Sequence, residues 1–205
     1  LFNEDEVRRK DLRLGDLVVV RRHGDVIPGI VKPLVERRDG SEVVWVFPAT
    51  CPSCGTPVVR GEGDAVTYCP NEECPAQRVE RLIHFAAQGS MDIRGLGDAV
   101  AERLISSGLV RDMADLYALS LEQVLTLPGF QAKSAQKLLD AIAASKKCPF
   151  ARVLYALGIR HVGAKAAETI AAEVRSMTAV LTASEEALAA LAGIGPTIAA
   201  SLHHW

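Results

Sequence analysis

Apolar residues change rhythm twice along the chain. Up to residue 48 they fall in short β-branched runs, Leu17-Val18-Val19-Val20 and Val43-Val44-Trp45-Val46-Phe47, punctuated by Gly15-Asp16, Gly24-Asp25, Pro28-Gly29 and Asp39-Gly40. That is the pattern of strands separated by turns. It predicts a small β unit over 1–48, with Asp39-Gly40 as a hairpin turn between Val35-Glu36-Arg37-Arg38 and the run from Ser41 to Phe47, because Asp and Gly both tolerate positive φ. Residues 49–76 hold few apolar side chains; only Pro57-Val58-Val59-Arg60 and Ala65-Val66-Thr67-Tyr68 could form short strands, too little for a core. From residue 77 to Trp205 apolar positions recur near every 3.6 residues and break at Gly, Pro or Ser, which predicts an all-helical region over 77–205 whose last helix ends at His203-His204.

The helical region repeats itself. Ile93-Arg94-Gly95-Leu96-Gly97, Leu127-Pro128-Gly129-Phe130-Gln131, Ile159-Arg160-His161-Val162-Gly163 and Leu191-Ala192-Gly193-Ile194-Gly195 follow one another at spacings of 34, 32 and 32 residues. Beyond each turn come an Ala (Ala101, Ala135, Ala167, Ala199) and then a Leu or Ile (Leu104, Leu138, Ile170, Leu202) at matching positions. Each unit reads as a helix-hairpin-helix: the first Gly permits a left-handed residue at the end of an apolar helix, one apolar residue plugs the turn, and the second Gly opens the next helix. That second helix starts with unpaired N–H groups and a positive dipole end, and a Gly there leaves room for a phosphate. Four such units in tandem would grip the DNA backbone rather than read bases. The candidate contacts are Gly95, Gly97, Gly129, Gly163, Gly193 and Gly195, with Lys133 and Lys165 two residues past their turns. Gln131 in place of the second Gly, and His161 in place of a first Gly, mark two units expected to differ in role. A lone Gly-x-Gly would be plain helix capping; four copies in register favour DNA binding over generic helix packing.

The cysteines change the picture of residues 49–76. They read Cys51-x2-Cys54-x14-Cys69-x4-Cys74, two close pairs suited to a closed, tetrahedral, structural Zn2+ that would supply the fold in place of a core. Two disulfides are disfavoured because nothing in the sequence marks export, and iron–sulfur clusters use other spacings. Cys148 stands apart and reads as a small, partly buried hydrophobe. Lys plus Arg number 23 against 25 Asp plus Glu, a net charge of −2, so there is no overall basic excess, and DNA would have to be held by local features. Four thiolates around one Zn2+ would add a further −2 in the finger. The chain is 49% apolar with 23% charged residues, ordinary globular composition, and has no apolar stretch of transmembrane length. It begins without Met or a signal segment, as an excised piece would.

No catalytic constellation is present. Asp39-Gly40 is preceded by Arg37 where a nucleotidyl transferase has its Lys-x-Asp-Gly lysine, and P-loop, His-x-Glu and Gly-x-Ser-x-Gly signatures are missing.

The order of a β unit containing Arg21-Arg22-His23-Gly24-Asp25-Val26-Ile27-Pro28, then Cys51-Pro52-Ser53-Cys54, then Cys69-Pro70-Asn71-Glu72-Glu73-Cys74-Pro75-Ala76-Gln77-Arg78, then four helix-hairpin-helix units, resembles the bacterial NAD-dependent DNA ligases. Met91 to Gly97, Lys133 to Leu138 and Leu154 to Gly163 carry the same resemblance, which covers essentially the whole chain. It implies a multidomain, mainly α architecture: the C-terminal part of an OB-fold barrel (1–48), a small four-cysteine zinc finger (49–76) and a four-repeat helix-hairpin-helix domain (77–205). It further implies Arg22 on the DNA backbone near a nick, with Val26 and Ile27 against the duplex in the minor groove. The family's reaction passes AMP from NAD to a lysine, then to a 5′-phosphate, then seals the nick with Mg2+ (or Mn2+), in replication and repair. This stretch would bind nicked duplex without sealing it. The adenylating lysine, the NAD-binding and adenylation domains, and a C-terminal BRCT domain would lie outside it, in a cytoplasmic, nucleoid-associated monomer with no membrane partner. Phe2, where His is expected, Gln131 and His161 depart from the family pattern. A non-enzymatic helix-hairpin-helix scaffold of repair or recombination is the alternative, and a Lys-x-Asp-Gly segment upstream would discriminate the two.

Overall fold

The computed structural model describes residues 4–23, 27–61 and 65–205, in two compact units, Leu1–Cys74 and Pro75–Trp205. Each is described by itself.

The first unit opens not with a strand but with helix α1 (Glu4–Arg9), whose first turn is acidic and whose last turn is basic, an arrangement the helix dipole favours. Strands β1 (Arg13–Leu14), β2 (Val18–His23), β3 (Ile27–Pro33) and β4 (Val43–Val44) form two antiparallel pairs. In β2–β3 Val18 faces Pro33 and His23 faces Ile27, with a register shift between Val19 and Val20; in β1–β4 Arg13 faces Val44.

Two expectations are corrected. Pro28-Gly29 is not a turn but lies inside β3, opposite Arg22 and Arg21; a proline is tolerated because each sheet has only two strands, so every strand is an edge. Asp39-Gly40 does not turn a hairpin. Val35–Arg37 is a 3-10 turn, and Val43–Val44 pairs with Arg13–Leu14 instead. The reason lies in Arg38, which is drawn away from any local strand. Its Nε donates to Asp16 Oδ1 at 2.6 Å, Nη2 to Asp16 Oδ2 at 2.8 Å, and Nη1 to Asp11 Oδ2 at 2.7 Å. The backbone N–H of Arg13 adds a 2.7 Å bond to Asp16, which leaves the Asp16 side chain 1% exposed and that of Arg38 11%. This lock replaces a core. Leu12 is the one large aliphatic side chain buried among the described residues of the unit, whereas Leu14, Leu17, Val20, Val43, Val44 and Val46 are exposed.

The second unit is helical, as expected, and runs α2 (Pro75–Ala86), α3 (Asp98–Ser106), α4 (Leu121–Leu125), α5 (Ala132–Ser145), α6 (Phe150–Ala156), α7 (Ala164–Val174), α8 (Met177–Thr182), α9 (Glu185–Ala189) and α10 (Pro196–His204), with a 3-10 turn over Ala114–Ala118. Ser120, Ser176 and Ser184 cap α4, α8 and α9 through their side chains. Pro75 and Pro196 stand at the first positions of α2 and α10, where a missing N–H costs nothing.

The apolar side chains form two separate cores. One gathers Leu82, Phe85, Leu104, Leu116, Val124, Leu138 and their neighbours; the other gathers Leu154, Ile170, Leu188, Ala199 and Leu202. Ala101, Ala135, Ala167 and Ala199 are all 0% exposed, so a larger side chain at any of them would overpack the crossing of two helices.

Candidate metal centre and nucleic-acid interface

Cys51 and Cys74 are buried, Cys54 and Cys69 half-buried, and their four Sγ atoms all lie within 4.8 Å of one another. Two turns bring them together. The N–H of Cys51 donates to Thr56 O and that of Gly55, at φ +73°, to Cys51 O, both at 2.8 Å; on the other side Asn71 accepts from Cys74 N–H (3.0 Å) on its carbonyl and from Glu73 N–H (2.9 Å) on its side chain. A pair of bonds at 2.9 Å between Val59 and Tyr68 helps to tie the two halves. The expected short strands thus shrink to isolated bridges, Val59 with Tyr68 and Thr50 with Pro57.

The donor set fits zinc. A tetrahedron with Zn–S bonds of about 2.3 Å has edges of about 3.8 Å, and the Sγ separations are 3.8 Å for Cys51–Cys74 and 3.5 Å for Cys54–Cys69. Both are far beyond a disulfide bond, and all five cysteines are free. A hydrogen bond with the Thr56 hydroxyl holds the Cys54 thiol down at about 6, whereas burial pushes that of Cys69 up to about 12. Thiols so crowded cannot all ionise on their own; a dication among them makes four thiolates compatible. The Thr56 hydroxyl, 3.3 Å from Cys54 Sγ and 3.4 Å from Asn71 Nδ2, is a support that the cysteine spacing did not reveal.

The four repeats are hairpins. The first turn position is left-handed in each, at φ +92° for Gly95, +86° for Gly129, +67° for His161 and +82° for Gly193. Leu96, Val162 and Ile194 plug the turns and are buried, while Phe130 is partly so. One detail differs from expectation: the first helix need not run into the turn, since α2 ends at Ala86, well before Gly95.

At the second position Gly97, Gly163 and Gly195 cap α3, α7 and α10 in ordinary extended backbone, with φ of −100°, −77° and −85°, and no side chain bonds to the helix start. A Cβ at any of the three would meet nothing within 4 Å. Neither backbone conformation nor packing asks for glycine there. Hairpin 2 is different. At the start of α5 Gln131 N–H donates to Ser134 Oγ, which donates to Gln131 O, both at 3.0 Å, and Arg103 Nη1 donates to Pro128 O at 2.7 Å beside Gly129. Periodicity marked Gln131 as a departure but gave no sign of its bonds with Ser134.

Lys133 and Lys165 are exposed on α5 and α7, with Lys165 Nζ 3.5 Å from Glu168. Arg22 is exposed on β2 opposite Pro28, and Ile27 begins β3. Val26 lies outside the described residues. Arg22 and the hairpins belong to different units.

A cage of four cysteines followed by tandem hairpins with side-chain-free helix starts defines a zinc-finger protein of the helix-hairpin-helix class. Family models agree segment by segment: an NAD-dependent DNA ligase OB-fold domain matches residues 1–42, an NAD-dependent DNA ligase C4 zinc finger domain matches 50–76, a SAM-like helix-hairpin-helix tandem matches 91–144 and a helix-hairpin-helix motif matches 152–205. The chain is 50% identical over 202 residues to the DNA ligase of Pelotomaculum thermopropionicum, 49% over 203 to that of Halothermothrix orenii and 48% over 199 to that of Rubrobacter xylanophilus. These matches take in 97–98% of this chain and 29–30% of each relative. The chain belongs to the NAD-dependent DNA ligase family, of which it carries the OB-fold, C4 zinc finger and helix-hairpin-helix segments. It spans about 30% of the length of the curated relatives it matches. Among the described residues no helix is long and apolar enough to cross a membrane.

Proposed function

We propose that this chain is the part of an NAD-dependent DNA ligase that grips nicked duplex DNA, with residues 1–48 as barrel surface, 49–76 as a zinc-rigidified joint and 77–205 as the backbone-binding array. The observation that carries this reading is the set of three uncapped helix starts at Gly97, Gly163 and Gly195, where glycine meets open space in unstrained backbone. A residue that the fold does not require is explained by a ligand that does. A phosphate oxygen takes up the free N–H groups and the dipole end, and a side chain would hold it away. Grip through amides also accounts for a binder with a net charge of −2.

Gly95, Gly129 and Gly193 shape the turns that present these helix starts, and Lys133, Lys165 and Arg22 add cationic contacts to the backbone. Val26 and Ile27 pack against the nicked duplex. Hairpin 2, where Gln131 stands in place of the second glycine, contributes less to DNA than the other three. The chain's share of catalysis is positioning, holding the 3′-hydroxyl and 5′-phosphate ends of the nick in line. The adenylated lysine, NAD and Mg2+ (or Mn2+) belong to the rest of the ligase, together with its NAD-binding, adenylation and BRCT domains, in a monomer working on the bacterial nucleoid in replication and repair.

Titration of the chain with nicked and intact duplexes of unrelated sequence at two salt concentrations tests this. Sequence-independent affinity that falls as salt rises is expected, since each neutralised phosphate releases counterions, and the nicked duplex should bind more tightly. Absence of binding at low salt, or affinity indifferent to salt, refutes it.

A further inference from the structure

The helical unit is two bodies joined through one helix. Hairpins 1 and 2 share the first core and hairpins 3 and 4 the second, while α6 contributes to both: Val153 and Ala156 pack on the first, Phe150, Leu154 and Tyr155 on the second. Polar bonds add to the apolar packing at this joint. Arg152 on α6 donates from Nε to Ser90 O at 2.5 Å and from Nη2 to Gln88 O at 2.6 Å. Beside it His84 Nε2 donates to Tyr155 O at 2.9 Å, with the two rings edge to face at 4.9 Å, and Cys148 Sγ donates to Met91 O at 3.5 Å.

The geometry matters because of where these residues lead. Ser90 is five positions before Gly95, the turn of hairpin 1, and α6 ends at Ala156, five positions before His161 in the turn of hairpin 3. A planar guanidinium donating to two carbonyls fixes direction as well as distance, which an ammonium cannot do. Ser90 itself is 0% exposed with an unpartnered Oγ, so one of the two carbonyls that receive Arg152 belongs to a buried residue, the other to the exposed Gln88.

We propose that Arg152 is a positioning residue that holds hairpin 1 and hairpin 3 at a fixed spacing, so that both halves of the helical unit engage one duplex at once. This rests on the DNA-binding reading above. When two sites are held at a matched span, the second contact becomes intramolecular and overall affinity exceeds that of either half. If the spacing loosens, each half still binds but the gain is lost.

The test uses the whole chain, unsubstituted and as R152M and R152K, with zinc content and melting temperature measured alongside affinity. Two duplexes are compared, of about 10 and about 20 base pairs, that is, about one and two helical turns. The unsubstituted chain should bind the longer duplex at least about tenfold more tightly. R152M should keep its affinity for the shorter duplex and lose most of that gain; R152K, keeping one donation, should fall between. Equal behaviour of R152M and the unsubstituted chain on both duplexes overturns the proposal. So does a parallel loss on both duplexes with a lowered melting temperature, which would make Arg152 merely a support of the fold. If R152M does not melt cooperatively, R152K is judged by the same criteria. Failure of the unsubstituted chain to bind any duplex removes the DNA reading itself, whereas binding without a gain from the second turn overturns only the pairing of the halves.

Discussion

Replacing Gly97 with serine should make the protein more stable and a worse DNA binder. Gly97 caps α3 at φ −100° and ψ −174°, a conformation that serine adopts freely, and an added Cβ meets nothing within 4 Å. A serine there would supply the missing cap and restrict the unfolded chain, together worth about 0.5–1 kcal/mol. The same hydroxyl would occupy the N–H groups offered to phosphate. Losing one charge-assisted hydrogen bond costs about 1.5–3 kcal/mol, so affinity for nicked duplex should fall at least about tenfold. Gly95→Ser is the control, since at φ +92° a side chain costs about 1–2 kcal/mol of stability. Thermal denaturation gives the first quantity and fluorescence anisotropy with a labelled nicked duplex the second. Unchanged affinity in Gly97→Ser would show that this helix start does not hold phosphate, and a loss of stability matching that of Gly95→Ser would show that the fold itself demands glycine there.

Cys69→Ser, or treatment with a chelator, should unfold the finger, because a three-coordinate site cannot replace a core that residues 49–76 do not have; unchanged zinc content by atomic absorption together with unchanged protease resistance of this segment would contradict this. Hydrogen bonds from Arg38, together with that of Arg13 N–H, hold the Asp16 carboxyl down at about 2 from its ordinary 3.8. A lowered folded-state value means stability that is complete above the unfolded pKa and lost as pH falls from about 4 towards 2. Arg38→Met should flatten this dependence in acid titrations followed by Trp45 fluorescence, and an unaltered profile would rule the lock out as its source.

Legibility in the sequence followed the range of the interactions. The hairpin turns were readable because their causes are local: a left-handed residue, a plug and a small Ala recur at fixed spacing, and the three features coincide in space. The cysteine cage was readable for the same reason, its two turns being closed by bonds between near neighbours. The β unit was misread where distant partners override local signals. Pro28 and Gly29 look like a turn but sit in β3 because β2 pairs with them. Asp39-Gly40 looks like a hairpin, but Arg38 is held by Asp11 and Asp16 more than twenty residues away. Arg152 gave no signal, since its carbonyl partners lie 62 and 64 residues upstream and backbone acceptors leave no trace in side-chain patterns.

The scarcity of buried aliphatic groups in the first unit has a consequence for how the protein fails. Its order depends on a metal cage and an ion pair, and both are undone by protons, which displace zinc from thiolates and neutralise Asp16. The helical unit relies on two hydrocarbon interiors that are indifferent to protonation. Acid and chelators therefore strike the first unit through groups on which the helical unit does not rely, so that one part of the chain can lose its order by a change of solvent alone.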